Sequence, residues 1–200
     1  LEKELRIEDI EGLIKSTSSV PTYTPRYFGE QEVHYKSGTV YRIYKYIRDS
    51  WKKIYDSTEF TSKARAWRTP IQTILASTET KIQLNTESYD IDSEFDSTTN
   101  YQFTATIAGY YQVNACASWA GVEDGKSYEV SIYKNTTIMA ASRIHAGATS
   151  ASANLRINVS DIISMAANDT LEMRVWHNSA ASQDIASGEA YTFLSIHRIS

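Results

Sequence analysis

Residues 100 to 119 read NYQFTATIAGYYQVNACASW, and the two halves of this stretch share one pattern. From Tyr101 to Ile107 the side chains Tyr101, Phe103, Ala105 and Ile107 alternate with Gln102, Thr104 and Thr106, the period-two signature of a half-buried strand. After a corner at Ala108-Gly109 the alternation resumes through Tyr111, Val113, Ala115, Ala117 and Trp119, with Gln112, Asn114 and Ser118 on the other face. Two consecutive strands send their apolar sides into one core, which predicts a sandwich or a barrel.

Composition points the same way. The chain has 200 residues, 42% of them hydrophobic, with 14 Tyr but only 8 Gly and 3 Pro, a balance that favours strands over long helices. Its single cysteine, Cys116, lies mid-strand on the face opposite Trp119 and reads as a small buried hydrophobe; an intramolecular disulfide framework is excluded. No run approaches the roughly 18 apolar residues of a membrane span, so membrane insertion is not expected. The first residue is Leu1, which reads as a fragment or a processed product. A net charge of −4 argues against nucleic acid as a partner. Residues 42 to 68 are locally basic, either a solvated strand face or a patch for anionic surfaces.

Residues 1–18 read as the helical end of a stalk. Ile7, Ile10 and Ile14 fall at a, d and a of a heptad, a choice that leans towards three strands and makes them candidate trimer-interface residues. The same segment equally suits a lone amphipathic helix packed on its own domain. Residues 19–29 read as an extended linker with two prolines, and residues 30–60 as a small three-stranded β meander, or collar, with Tyr41, Ile43 and Trp51 on its covered face. In residues 64–200, ten short strands are predicted near 64–68, 72–76, 81–85, 101–107, 110–119, 127–134, 138–146, 152–159, 170–177 and 190–199. Turns at Glu123-Asp124-Gly125, Lys134-Asn135 and Asn168-Asp169 suit a two-sheet sandwich. The last strand is apolar on both sides, with Phe193 on one face and Leu194 and Ile196 on the other. One face has the core and the other wants a partner, so Leu194 and Ile196 join the candidate trimer interface.

A family resemblance rests on named residues. Leu84, Asp90, Phe95, Phe103, Gly109, Tyr111 and Val113 are spaced as in the aromatic signature of the C1q-like globular domain, a jelly roll of the complement C1q and tumour necrosis factor superfamily. Asn168 to Val175 resembles the family's turn into a late strand, with Asn for Gly, and Tyr191 to Ile199 resembles its last strand. Val113 and Ala115 stand where the family has aromatics, and the gap from Phe95 to Phe103 is one residue longer. The phrase YDIDSEFDSTTNYQFTATIAGYY is most similar to C1q-like domains of bacteriophage fibres. Gly29, Glu30, Ser37, Gly38, Val40, Tyr41, Tyr46 and Trp51 resemble a recurring phrase of phage-fibre collars. The resemblance implies an all-β, ten-stranded jelly-roll head and a threefold homotrimer whose terminal strand lines the subunit interface.

Three sites follow, each with a plainer reading beside it. Asp90, Asp92, Glu94 and Asp96 recur at every second residue, so an extended backbone would set four carboxylates on one face. Calcium takes oxygen ligands of this type, and a solvated acidic edge explains the run as well. Trp176, His177, Asn178 and Gln183, with Glu123 and Asp124, lie in or beside loops at strand ends, where aromatics stack on sugar rings and amides read hydroxyls; core packing explains the tryptophan as well. The Asn-X-Ser/Thr triplets at Asn135, Asn158 and Asn168 arise by chance in a chain this rich in Ser and Thr. For catalysis the sequence holds no HExxH pair, no GxSxG elbow and no phosphate-binding loop, so no enzyme is expected. The resemblance to phage-fibre domains implies a trimeric virion-surface appendage, a tail-fibre or head-fibre tip. Its N-terminal end would attach to other virion proteins, and its head would adhere to a host cell-surface glycan or protein. A capsid-decorating trimer and a secreted ligand of the C1q and tumour necrosis factor type are the alternatives.

Overall fold

Alternation and turn chemistry set the first sheet. The computed structural model describes residues 15–17, 21–22, 24–25, 32–37, 40–56, 61–147 and 154–199. Strands β1 (Lys15–Thr17), β2 (Glu32–Ser37), β3 (Val40–Ile47) and β4 (Ser50–Asp56) form one sheet in that order. Arg48 and Asp49 both have positive φ, the conformation that a two-residue hairpin needs to match strand twist, so the turn lies one residue earlier than Asp49-Ser50. The covered face is also shifted by one. Tyr44 is buried, and Tyr46 meets Trp51 edge-on at 5.4 Å.

The predicted meander gains a fourth strand. Lys15–Thr17 runs parallel to β2 in the register Lys15↔Val33, so the helix expected over 1–18 does not reach these residues. The fourteen or so residues between the two strands are enough for a parallel crossover. Ile7, Ile10 and Ile14 lie outside the described residues.

The chain divides into two units, residues 1–59 and 60–200. The second, the head, holds β5 (Lys63–Trp67), β6 (Gln72–Ile74), β7 (Thr80–Lys81), β8 (Thr86–Asp90), β9 (Phe95–Asp96) and β10 (Gln102–Thr104). They are followed by β11 (Gly109–Ala120), β12 (Ser127–Lys134), β13 (Thr137–His145), β14 (Leu155–Met165), β15 (Thr170–His177), β16 (Gln183–Ile185) and β17 (Phe193–Arg198). One sheet runs β6-β16-β11-β17-β5-β8 with β14 on the other side of β11, and the second runs β13-β12-β15-β10-β9 with β7 beside β15. We call them the β11 sheet and the β12 sheet. Non-sequential neighbours in both sheets give the jelly-roll connectivity, and β8, β9 and β16 are strands that the sequence pattern did not announce.

The core lies between the sheets. Tyr111, Val113, Ala115, Ala117 and Trp119 are all buried, as the alternation requires, and from the facing sheet Tyr128, Val130, Ile132, Leu171, Met173 and Val175 meet them. The first half of the opening stretch behaves differently. Phe103 and Ala105 are buried, but Ile107 is exposed and Tyr101 has positive φ, so the strand shrinks to Gln102–Thr104. Asn135 and Asn168 occupy left-handed turn positions, which Asn tolerates better than other non-glycine residues. Asn135 ties the two turns together by accepting from the Thr170 N–H at 2.9 Å and donating to Asp169 at 2.9 Å.

β5 lies antiparallel to β17, with Lys63 opposite His197. The chain therefore enters and leaves the head at one end. The loops after β11 and β15 are at the other.

Candidate functional site

The predicted loop cluster does assemble, at the end remote from the chain's entry, but its polar groups answer one another. Glu123 accepts from the Ala180 N–H at 3.0 Å and from Gln183 Nε2 at 3.3 Å, while its own N–H donates to Tyr128 Oη at 2.7 Å. The N–H of Ala180 foremost, with that of Ala181, holds the Glu123 carboxyl below the usual range. Asn178 Oδ1 accepts from the Ser127 N–H at 2.6 Å.

His177 is fully buried at 0% exposure, its Nε2 3.1 Å from the Ile74 carbonyl and its Nδ1 accepting from the Ser179 N–H at 3.2 Å. This pattern assigns the proton to Nε2. The ring stacks on Tyr128 and meets Trp119 edge-on at 5.2 Å. His177 and Gln183 are thus removed from the recognition set, because they are covered by their own chain and fully occupied in joining the loops.

The acidic run does not gather its carboxylates at one point. The backbone bends after Asp90, with Ser93 at positive φ, so the four carboxylates leave a common face. Asp90 accepts from the N–H groups of Glu94 and Phe95, Asp92 accepts from Thr61, and Asp96 closes a turn by accepting from Thr98, Thr99 and Asn100. Glu94 is buried and receives the Thr106 N–H at 2.8 Å, the Thr106 hydroxyl and the Ser62 hydroxyl. Among the described residues no group of three or more His, Cys, Asp or Glu side chains gathers.

The N–H groups of Thr99 and Thr98 hold Asp96 far below the ordinary carboxylate range, and Asp169 is lowered by Asn135 and the Ala166 N–H. Folded-state values below the unfolded ones mean that Asp96, Glu123 and Asp169 contribute stability above the unfolded pKa and lose it as pH falls. The melting temperature should be level from pH 7 to about 5 and decline below about 4. A pH series at constant ionic strength checks this, and Asp96→Asn should flatten the decline.

Two broad faces remain. The outer side of the β11 sheet exposes Tyr110 (54%), Ile162 (52%) and Ile199, beside Gln112, Asn114, Ser195 and His197. A recess of about 230 Å³ opens there between Asn114, Asn158, Ser160 and Phe193, and Arg65 lies 3.9 Å over the Phe193 ring. Cys116 faces this side but is covered, its thiol 3.3 Å from the Tyr191 carbonyl and pushed up by burial. Leu194 and Ile196, expected at a subunit interface, are each 1% exposed. They stand opposite Ala115 and Val113 and belong to the head's own core; the outward side of that strand is Phe193, Ser195 and His197.

The outer side of the β12 sheet carries charge and aromatic rings. Glu172 binds Lys81 and Arg174, Glu129 binds Arg143 at 2.6 Å, and Glu79 binds Arg174 at 3.2 Å and the Tyr133 hydroxyl. Burial and the bond to Glu79 push Tyr133 up to about 12. Arg174 lies 4.3 Å over Tyr133, and Arg143 lies 4.8 Å over Trp176.

No protein-family model matches the sequence, and no curated protein matches it significantly. Solved structures do. Eiger TNF from S. frugiperda superposes with a TM-score of 0.55 at 10% identity, covering 71% of this chain and 94% of that one. Murine APRIL gives 0.52 at 11% identity, covering 69% of this chain and 98% of that one. The globular domain of zebrafish complement 1qA gives 0.49 at 13% identity over 70% of this chain and 98% of that one. The head has the C1q/TNF-like fold. In this C1q/TNF-like head the predicted set keeps Trp176 and Asn178 on an open surface and gives His177 and Gln183 to the interior. Arg143, the ring partner of Trp176, was missed because it lies 33 residues away on a strand whose pairing no local pattern reveals. No helix among the described residues is long and apolar enough to cross a membrane.

Proposed function

We propose that this chain is the distal part of a homotrimeric virion appendage, a tail-fibre or head-fibre tip, whose head recognises a glycan or protein on the host cell surface. The observation that carries the reading is the outer face of the β11 sheet, where Tyr110 on β11, Ile162 on β14 and Ile199 just after β17 stand exposed together, uncovered by the described residues. Monomeric sandwiches rarely leave such a group open, and a second and third copy would cover it. Trimerisation through this face turns the β12 sheet outwards, towards whatever the head meets. Three weak sites then act with the avidity of one assembly.

Light scattering on residues 1–200 should give three times the chain mass. The double variant Tyr110→Glu, Ile162→Lys should give a folded monomer. A monomeric wild type overturns the trimer. A trimer that binds nothing on an array of cell-surface glycans or on cells favours the capsid-decorating alternative.

A further inference from the structure

Along β15, Leu171, Met173, Val175 and His177 point into the core, so Glu172, Arg174 and Trp176 point outwards. Trp176 is only partly covered there, and nothing from the core side needs a tryptophan in this row. Across the sheet Trp176 stands opposite Glu129, and Glu129 stands opposite Arg143. Arg143 engages Glu129 through Nε alone, and its side chain is 57% exposed. Its guanidinium lies over the indole, 4.8 Å from the ring centre. One step further along, Ser127 Oγ and His145 Nδ1 are 3.2 Å apart on the same face, with His145 exposed. Hydroxyl, imidazole, guanidinium and indole thus form one surface, held by paired strands and lying towards the end remote from the chain's entry.

We propose that Trp176, Arg143, His145 and Ser127 form a binding platform for an acidic sugar, one that carries a carboxylate or a sulfate. The part of the indole that Arg143 leaves uncovered supplies an apolar surface for the CH side of the ring. The terminal nitrogens of Arg143, on a side chain that is 57% exposed, take the anionic group in a forked, charge-assisted pair, and Glu129 on Nε fixes the plane in which that fork lies. Ser127 and His145 face the ring hydroxyls. A neutral sugar uses the indole and forgoes the fork. The inference rests on the receptor-binding reading only for its biological setting; the platform's chemistry stands apart from it.

The test titrates the whole chain with glucuronate and with glucose, observed by saturation-transfer NMR. Glucuronate should bind about tenfold more tightly than glucose, as expected for one charge-assisted contact. Arg143→Gln should erase that preference while leaving the fold, read by far-ultraviolet circular dichroism, and the solution mass unchanged, and Trp176→Leu should weaken both sugars. Equal binding of the two sugars, binding of neither, or a preference that survives Arg143→Gln overturns the proposal. If glucuronate binds as expected but the same chain attaches to no glycan-bearing surface, the receptor reading fails and the platform remains.

Discussion

Trp119→Ala should destabilise the head by about 3–5 kcal/mol and lower its melting temperature by about 10–20 °C, the largest effect of any single truncation in the core. Trp119 is fully buried at the end of β11, with the rings of Tyr128 and His177 at 5.2 Å on two sides. Alanine would leave a void against two loops that cannot collapse into it, because Glu123, Asn178 and Ser179 are already bonded in place. Its Nε1 is buried with no acceptor among the described residues, so Trp119→Phe deletes no hydrogen bond and should cost about 1–2 kcal/mol. Calorimetry on the two variants checks the contrast. Equal losses would mean that the indole nitrogen matters and the ring volume does not.

Glu94→Ala should cost about 2–4 kcal/mol, and the loss should be the same in EDTA as in millimolar calcium. The substitution strands the buried Ser62 hydroxyl and takes their acceptor from the N–H and hydroxyl of Thr106 at the exposed rim of the same site. A carboxylate receiving three donors is a structural clamp. Here it fastens the segment before β5 to the bend after β10. Calcium that raised the melting temperature of the wild type but not of the variant would restore a metal role to Glu94.

The contrast between the two halves of the opening stretch shows what local pattern can carry. From Tyr111 to Trp119 the alternation matched the packing because β11 is paired on both sides, by β14 and by β17, which forces a regular pleat. Tyr101 and Ile107 obeyed the same pattern on paper, yet the turn closed by Asp96 and the bend before β11 took them out of register.

Other features were in the sequence but misread. Leu171, Met173 and Val175 share parity with His177, so its burial was legible. The Asp-Ser-Thr-Thr-Asn phrase after Phe95 is a turn-closing signal, which competes with metal ligation for the same oxygens. The rest depended on pairing between distant segments. Nothing local places Lys15 beside Val33, Leu194 against Ala115, or Arg143 on Trp176.

The side-by-side placement of β5 and β17 has a practical consequence for anyone who handles this molecule. Because Lys63 and His197 are neighbours, a short linker can join the two ends of the head and new termini can be opened elsewhere. The Lys134-Asn135-Thr136 hairpin is a suitable place for the cut. A fluorophore or affinity tag fused through a linker beyond Ile199 emerges beside the point where the chain enters. Such a fusion leaves the opposite end unencumbered, so a tagged head remains a fair reporter of anything that docks there.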